Sequence, residues 1–211
     1  MIFSHSASTP EHNEPARLIL GSGSSARKQL LTQAGLSFCV HTAQVDEDIL
    51  KLEGMKQGLS PSAVALSLAE AKATAVAALH EGCIIGADQM LSCEGDCYDK
   101  PAGLAEARDQ LKALRGRTHT LHTAVALYMD GAVTWQHVTQ SHLRMRFFSD
   151  AFLYAYLETE GEHCLHSVGA YRLEGPGLQL FEKIDGDFFS ILGLPLLPLL
   201  QALREREVIF S

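Results

Sequence analysis

Residues Leu18-Ile-Leu-Gly-Ser-Gly-Ser-Ser-Ala-Arg-Lys-Gln-Leu-Leu31 set the terms of the fold. Arg17-Leu18-Ile19-Leu20 reads as a short apolar strand, and Gly21 to Ser25 turns it into a helix with apolar positions at Ala26, Leu30, Leu31 and Ala34. Ser24 or Ser25 can cap that helix, and Gly35 ends it. Small residues in such a turn let backbone N–H groups approach an anion, and the helix behind presents its positive end. Ser22 and Ser24 add hydroxyl donors, and Arg27 in the first helical turn can grip a phosphate with two donors. No Gly-Lys-Ser/Thr follows, so this is not a P-loop. Taken alone, a Gly/Ser turn before a helix is more often a plain connection.

Further along, Ser60-Pro61 opens an alanine-rich helix running to about Leu79. Cys83-Ile84-Ile85-Gly86-Ala87 reads as a buried strand, and Leu104, Ala107, Leu111 and Leu114 place a helix over residues 103–115. Residues 119–129 alternate, with Leu121, Thr123, Val125, Leu127 and Met129 on one face. Asp130-Gly131 then turns into a second strand reaching Phe148. Ser149 caps a helix to about Glu158, Gly177 to Ile184 reads as a strand, and a helix from Leu196 to Glu205 closes the chain. Interleaved strands and helices with one hairpin predict an α/β or α+β fold on a mixed sheet. Residues 1–16 are expected to be a flexible extension, and residues 17–211 one domain.

The 211 residues are ample for one core, and 17 basic against 25 acidic side chains give a net charge of −8. That balance argues against broad adhesion to nucleic acid polymers or anionic membranes, yet a few local cations suffice for one nucleotide. The apolar run Ile191–Leu200 is too short to span a bilayer and contains Pro195 and Pro198. Five scattered cysteines and a polar N-terminus without a signal-like apolar core point to reduced thiols in the cytoplasm.

Four further positions invite chemistry. Asp88 follows an apolar run and is expected at a strand end, where open sheets place ligands, although a turn-forming Asp is an equal alternative. Lys100 precedes Pro101 in an extended dipeptide, where a lysine is usually solvated; Glu47 in Val45-Asp-Glu-Asp48 is a surface acid by default. Lys72 lies in the alanine-rich helix, where the plain expectation is a lysine whose stem is covered and whose head reaches water. Other features carry less. Cys93 and Cys97 lack the second pair a zinc site needs, and His119 and His122, three apart on a strand, face opposite sides. His163 and His166 lie between a helix and a strand and are poor metal candidates, while Phe152, Tyr154 and Tyr156 read as core.

The order of these motifs is more specific than any one of them. The opening stretch is followed by Val45-Asp-Glu47, Ala71-Lys-Ala73, Ile85-Gly-Ala-Asp-Gln89, Lys100-Pro101 and Leu114-Arg-Gly-Arg-Thr-His119. Gly169-Ala-Tyr-Arg-Leu-Glu-Gly175, Ile184-Asp-Gly-Asp187 and Gly193-Leu-Pro195 complete the series. Across residues 17–205 it resembles the Maf family of nucleoside triphosphate pyrophosphatases. The resemblance implies an elongated mixed sheet with flanking helices and an active-site cleft between two lobes. It also implies hydrolysis between the α and β phosphates, assisted by Mg²⁺ or Mn²⁺. Carried over residue by residue, Asp88 becomes general base or metal ligand and Glu47 a second ligand. Arg27, Lys72 and Lys100 neutralise the triphosphate with the Ser22/Ser24 turn. The family's opening usually reads Ser-x-Ser-Pro-Arg-Arg; here Ser25 and Ala26 replace Pro and the first Arg. Ala26, Gln89, His166 and Glu174 depart from the dTTP/UTP-cleaving flavour and match the one associated with 7-methyl-GTP, although Ala26 lacks the Trp common there. An acceptor-only Glu174 suits a purine's N1–H and amine, and gains from the positive charge of an N7-methylated base. The alternatives are a dTTP/UTP-type enzyme, or a nucleotide-binding regulator of septum formation without catalysis. The family also suggests a homodimer.

Overall fold

The computed structural model describes residues 18–210, so the expected extension over residues 1–16 lies outside the described residues. A seven-stranded mixed sheet organises the chain. β1 (Leu18–Leu20) runs into α1 (Ser25–Gln33), whose N-cap is Ser24. β2 (Cys39–Val40) pairs parallel to β1 and precedes α2 (Glu47–Lys56) and α3 (Pro61–Ala77). β3 (Cys83–Cys93) turns back through Glu94-Gly95 into the short β4 (Asp96–Tyr98), and α4 (Leu104–Leu114) follows. β5 (Thr118–Met129) and β6 (Ala132–Met145) form the long hairpin expected around Asp130-Gly131, both of which adopt positive φ. α5 (Asp150–Glu160), three 3₁₀ turns, β7 (Phe181–Asp185), α6 (Phe188–Ile191) and α7 (Leu196–Glu205) complete the chain.

Strand order is β2-β1-β3-β5-β6-β7, with β4 paired to β3 off this path. β5 occupies one edge of β3 from Ile84 to Ser92. The other edge is shared: β1 pairs with Cys83–Ile85 and β4 with Leu91–Cys93. Residues 86–90 therefore have no strand partner on that side. This interruption divides the structure into two lobes. On one face, α1 and α7 pack their leucines on Leu20, Ile85, Val125 and Leu127; on the opposite face α3 covers Met90, Ala124 and Ala126. Past the gap, α4 and α5 bury Leu91, Leu121 and Leu143 in a second core. The sequence expectation of one apolar face on residues 119–129 is thus too narrow, because helices cover both faces of the centre of β5.

Gly86 fixes how closely α3 approaches the sheet. A Cβ there would lie 2.0 Å from the Ala69 carbonyl oxygen and 2.7 Å from the Ala73 amide nitrogen. Ala69 and Ala73 supply the matching small face on the helix, one turn apart. Lys72 is carried by that same helix.

Three expectations are corrected. The strand ending at Ala87 continues to Cys93, because Asp88 and Gln89 find partners on opposite faces of the sheet. The strand read from Gly177 begins only at Phe181, because Pro176–Leu180 forms a 3₁₀ turn. Of the three aromatics assigned to the core, Tyr156 is buried but Tyr154 is 53% exposed.

Candidate active site

The interrupted edge of β3 is where the polar residues converge. Asp88 sits at the centre of the gap rather than at a strand end, and its side chain is on the α3 face. Lys72, reaching from the middle of α3, places Nζ 2.6 Å from Asp88 Oδ1 and 2.9 Å from Glu47 Oε1. Its head therefore does not reach for water, as the plain expectation had it; it is buried between two carboxylates. Glu47 is the first residue of α2, held there because Asp46 Oδ1 accepts the Ile49 N–H and caps the helix. An open cavity of about 700 Å³ is lined by Ala43 to Asp48 at this helix start.

Charge runs through the group. Burial pushes the Glu47 carboxyl upward, but the Lys72 hydrogen bond and the charges of Lys72, Lys51 and Lys100 outweigh it and hold the pKa below the usual value. Lys100, just beyond β4, is solvent-exposed, yet partial burial and repulsion from Arg27 and Lys72 lower its pKa against the pull of Glu47 and Asp88. These couplings place Lys100 in the same electrostatic group without direct contact.

Arg27 is more tied down than the sequence suggested. Nε donates to the Gly193 carbonyl at 2.8 Å, and Nη1 donates to Ser22 Oγ and the Ala87 carbonyl, both at 2.9 Å. The Ala87 carbonyl lies on the interrupted edge, so Arg27 fills part of what a strand would have paired. Burial draws its pKa down, opposed by Asp88 and Glu47. Ser22 Oγ also accepts the Ser24 N–H, and Ser24 Oγ accepts the Arg27 N–H as the helix cap. Both hydroxyl oxygens thus shape the loop before any ligand is considered.

Gln89 points to the opposite face. Its amide nitrogen donates to the Ser190 and Ile191 carbonyls and to Thr123 Oγ1, at 3.0, 3.1 and 2.8 Å. The donor side of this expected specificity residue is spent on anchoring α6, three residues before the Gly193 carbonyl that holds Arg27. Glu174 is exposed on the loop between two 3₁₀ turns, and Ala26 is half-buried in the first turn of α1. Neither belongs to the Asp88–Lys72–Glu47 cluster.

Sequence reasoning missed Lys51 and Asp99. Lys51 follows Glu47 by one helical turn, and its Nζ lies 2.5 Å from Asp99 Oδ1, linking α2 to the residue before Lys100. Burial lowers the Lys51 pKa, but Asp99, Asp88 and Glu47 outweigh it and raise it. The i, i+4 spacing behind an Asp N-cap was the available signal for α2 and for Lys51 together.

Among the described residues no three His, Cys, Asp or Glu side chains group as a metal cage. His119 and His122 have separate partners, Tyr171 for the first and Ser62 with Ser92 for the second. Glu47 and Asp88 still fit an ion of the Mg²⁺ type, which takes one or two carboxylates and completes its shell with water and substrate phosphates.

Cations and carboxylates thus collect at a gap in the sheet, beside a Gly/Ser turn and a helix N-terminus, an arrangement suited chemically to anionic groups. The chain belongs to the Maf family: the family model described as Maf-like protein matches residues 17–206. It is 49% identical over 195 residues to a nucleoside triphosphate pyrophosphatase of Gluconobacter oxydans, covering 91% of this chain and 96% of that one. It is 48% identical over 190 residues to a 7-methyl-GTP pyrophosphatase of Rhizobium johnstonii, covering 90% and 96%. A nucleoside triphosphate pyrophosphatase of Paramagnetospirillum magneticum is 50% identical over 188 residues, covering 89% and 97%.

Proposed function

We propose that this chain is a nucleoside triphosphate pyrophosphatase that cleaves the α–β phosphoanhydride of 7-methyl-GTP-like purine nucleotides, releasing the monophosphate and pyrophosphate. Near-full-length relatives with these names support the activity, and the Asp88–Lys72–Glu47 cluster at the open edge of β3 carries the mechanism. Lys72 engages Asp88 Oδ1, so Oδ2 is the oxygen that accepts a proton from water as it attacks the α phosphorus. The α–β bond breaks and pyrophosphate departs. Lys100 and Lys72 offset the growing charge on the leaving group. Arg27, already held by three protein oxygens, acts mainly by fixing the Gly/Ser turn and by its field. Glu47, with Asp88 where it serves as ligand rather than base, would hold Mg²⁺ or Mn²⁺, which when bound supplies further charge neutralisation at the phosphates. Glu174 would read the base: an acceptor-only carboxylate suits the purine N1–H and amine, and favours a cationic ring. The remaining elements of this reading are cytoplasmic residence and a homodimer; among the described residues no helix is long and apolar enough to cross a membrane.

The test is pyrophosphate release from 7-methyl-GTP, GTP, UTP, dTTP and CTP, with Mg²⁺, Mn²⁺ or neither, beside the Asp88→Asn variant. Preference for 7-methyl-GTP and a silent Asp88→Asn protein are expected. Preference for UTP or dTTP would move the chain to the pyrimidine flavour. Silence of the folded wild type across the panel would favour a binding-only regulator.

A further inference from the structure

Glu160, the last residue of α5, is a carboxylate that the mechanism above does not use. It is 5% exposed, and its Oε2 makes no hydrogen bond. The nearest cation is Arg172, whose Nε stands 3.9 Å from that oxygen, outside hydrogen-bonding range. A buried carboxylate whose nearest cation stands beyond hydrogen-bonding range is costly, so its position calls for a reason. The other oxygen supplies one. Glu160 Oε1 would lie 2.6 Å from a Cβ at Gly175, so it presses against the backbone directly after Glu174. Gly175, whose own backbone is extended at φ −134°, thus has the end of the Glu160 side chain as its close neighbour. α5 holds the same segment a second time, because Tyr156 Oη donates to the Ala170 carbonyl at 3.0 Å. Gly177 in turn packs against the backbone of Arg172. The loop from Arg172 to Gly177 is thus seated on α5, with the Glu160 carboxylate, paired at 3.9 Å with Arg172, behind the exposed one of Glu174.

We propose that Glu160 is a specificity-determining residue that acts through the Glu174–Gly175 loop, fixing its backbone and adding negative charge that selects nucleoside triphosphates with a cationic, N-alkylated purine. This rests on Glu174 as the base reader. A charge shielded from water by α5 acts over a longer range than an exposed one, because little solvent screens it. A neutral base gains nothing from it, so its effect falls on the discrimination between methylated and unmethylated purines rather than on phosphate chemistry.

The experiment compares kcat/KM for 7-methyl-GTP and GTP in the wild type, Glu160→Gln, Glu160→Asp and Glu174→Gln. Glu160→Gln keeps the shape of the side chain and removes its charge. The ratio of 7-methyl-GTP to GTP is expected to fall about five- to tenfold, through KM for 7-methyl-GTP, with GTP turnover within about twofold of wild type. Glu160→Asp keeps the charge and should retain most of the ratio even if its melting temperature drops. An unchanged ratio in Glu160→Gln, an equal loss on both substrates, or a loss in Glu160→Asp as large as in Glu160→Gln would each overturn the proposal. Glu174→Gln reports on the base reader separately. If it leaves the ratio intact, that reading fails, whereas a ratio that responds to Glu174→Gln but not to Glu160→Gln condemns only the role of Glu160.

Discussion

Replacing Lys72 by Met should destabilise the protein more than replacing Asp88 by Asn, although both changes break the same 2.6 Å ion pair. The asymmetry follows from what each variant leaves behind. The Asp88 side chain is only 8% exposed, and Lys72→Met strands its charge without the cation that offsets desolvation. Breaking a buried pair in this way costs roughly 3–5 kcal/mol, and the low end, about 3 kcal/mol, applies here because Asp88 lies at the unpaired edge of β3. Asp88→Asn leaves Lys72 with Glu47 at 2.9 Å, and Asn can still accept a hydrogen bond from Nζ. About 1 kcal/mol is expected for that change. Glu47→Gln should cost less than about 1 kcal/mol, because the Glu47 side chain is 43% exposed and the pair is screened. Urea unfolding of the three variants and of Lys72→Met/Asp88→Asn reads these differences directly, and the double variant should recover most of the loss. An Asp88→Asn protein less stable than Lys72→Met would refute the view that the cluster's energetics are governed by Asp88 burial. All three single variants should lose turnover, so stability and activity separate cleanly in Asp88→Asn.

Gly86→Ala should lower stability by about 3 kcal/mol or more, because a methyl 2.0 Å from the Ala69 carbonyl oxygen forces α3 off the sheet; a thermal melt within 2 °C of wild type would contradict this. His119 is buried with Nδ1 unpartnered, and burial lowers its pKa to about 4 from the ordinary histidine value of 6.5. Below pH 6.5 the unfolded chain therefore binds the extra proton, so stability falls as pH drops from about 6.5 toward 4, by on the order of 3 kcal/mol. His119→Phe should flatten that slope in pH-dependent urea melts. Lys51→Met and Asp99→Asn should each reduce kcat/KM about fivefold if their pair positions Lys100. Should Asp99→Asn instead tighten inhibition by pyrophosphate, Lys51 is a phosphate ligand that Asp99 holds in reserve.

How much of this was legible in the sequence depended on the range of the cause. Helix starts were readable because caps act locally: Ser24, Ser60 and Ser149 each accept an amide three residues on. The β5–β6 turn was readable because Asp-Gly tolerates the positive φ it needs. The length of β3 was not, since Asp88 looks like the end of an apolar run until Lys72, sixteen residues earlier, is seen to neutralise it. The same distance hid the roles of Gln89 and Arg27. Both motifs were visible, but the carbonyls they bond lie far along the chain, at Ala87 for Arg27 and in α6 and its flanking loop for both. Motif order pointed to Glu47, Lys72 and Asp88, which meet, and equally to Gln89, Ala26 and Glu174, which lie apart from them; the long-range contacts decide which atoms remain free.

Those contacts also bear on how an acidic chain can take a polyanion. In the resting protein Lys72 is shared by two carboxylates and Lys51 by a third, while Arg27 is turned onto neutral carbonyls and a hydroxyl. With Lys100 included, four cations face Glu47, Asp88 and Asp99, which leaves a net charge of about one against a triphosphate carrying three to four negative charges. Charge alone therefore gives this cluster little net attraction for a triphosphate. On the proposed reading, a divalent ion bound with the nucleotide would correct the deficit, and Glu47 and Asp88 would serve as its ligands where they would otherwise repel. Nucleotide binding measured by calorimetry should therefore weaken at least tenfold on chelation. The melting temperature of the nucleotide-free protein should barely move, because the carboxylates already have Lys72. Equal nucleotide affinity with and without metal would mean that the cations at the gap suffice, and that the two carboxylates serve Lys72 alone.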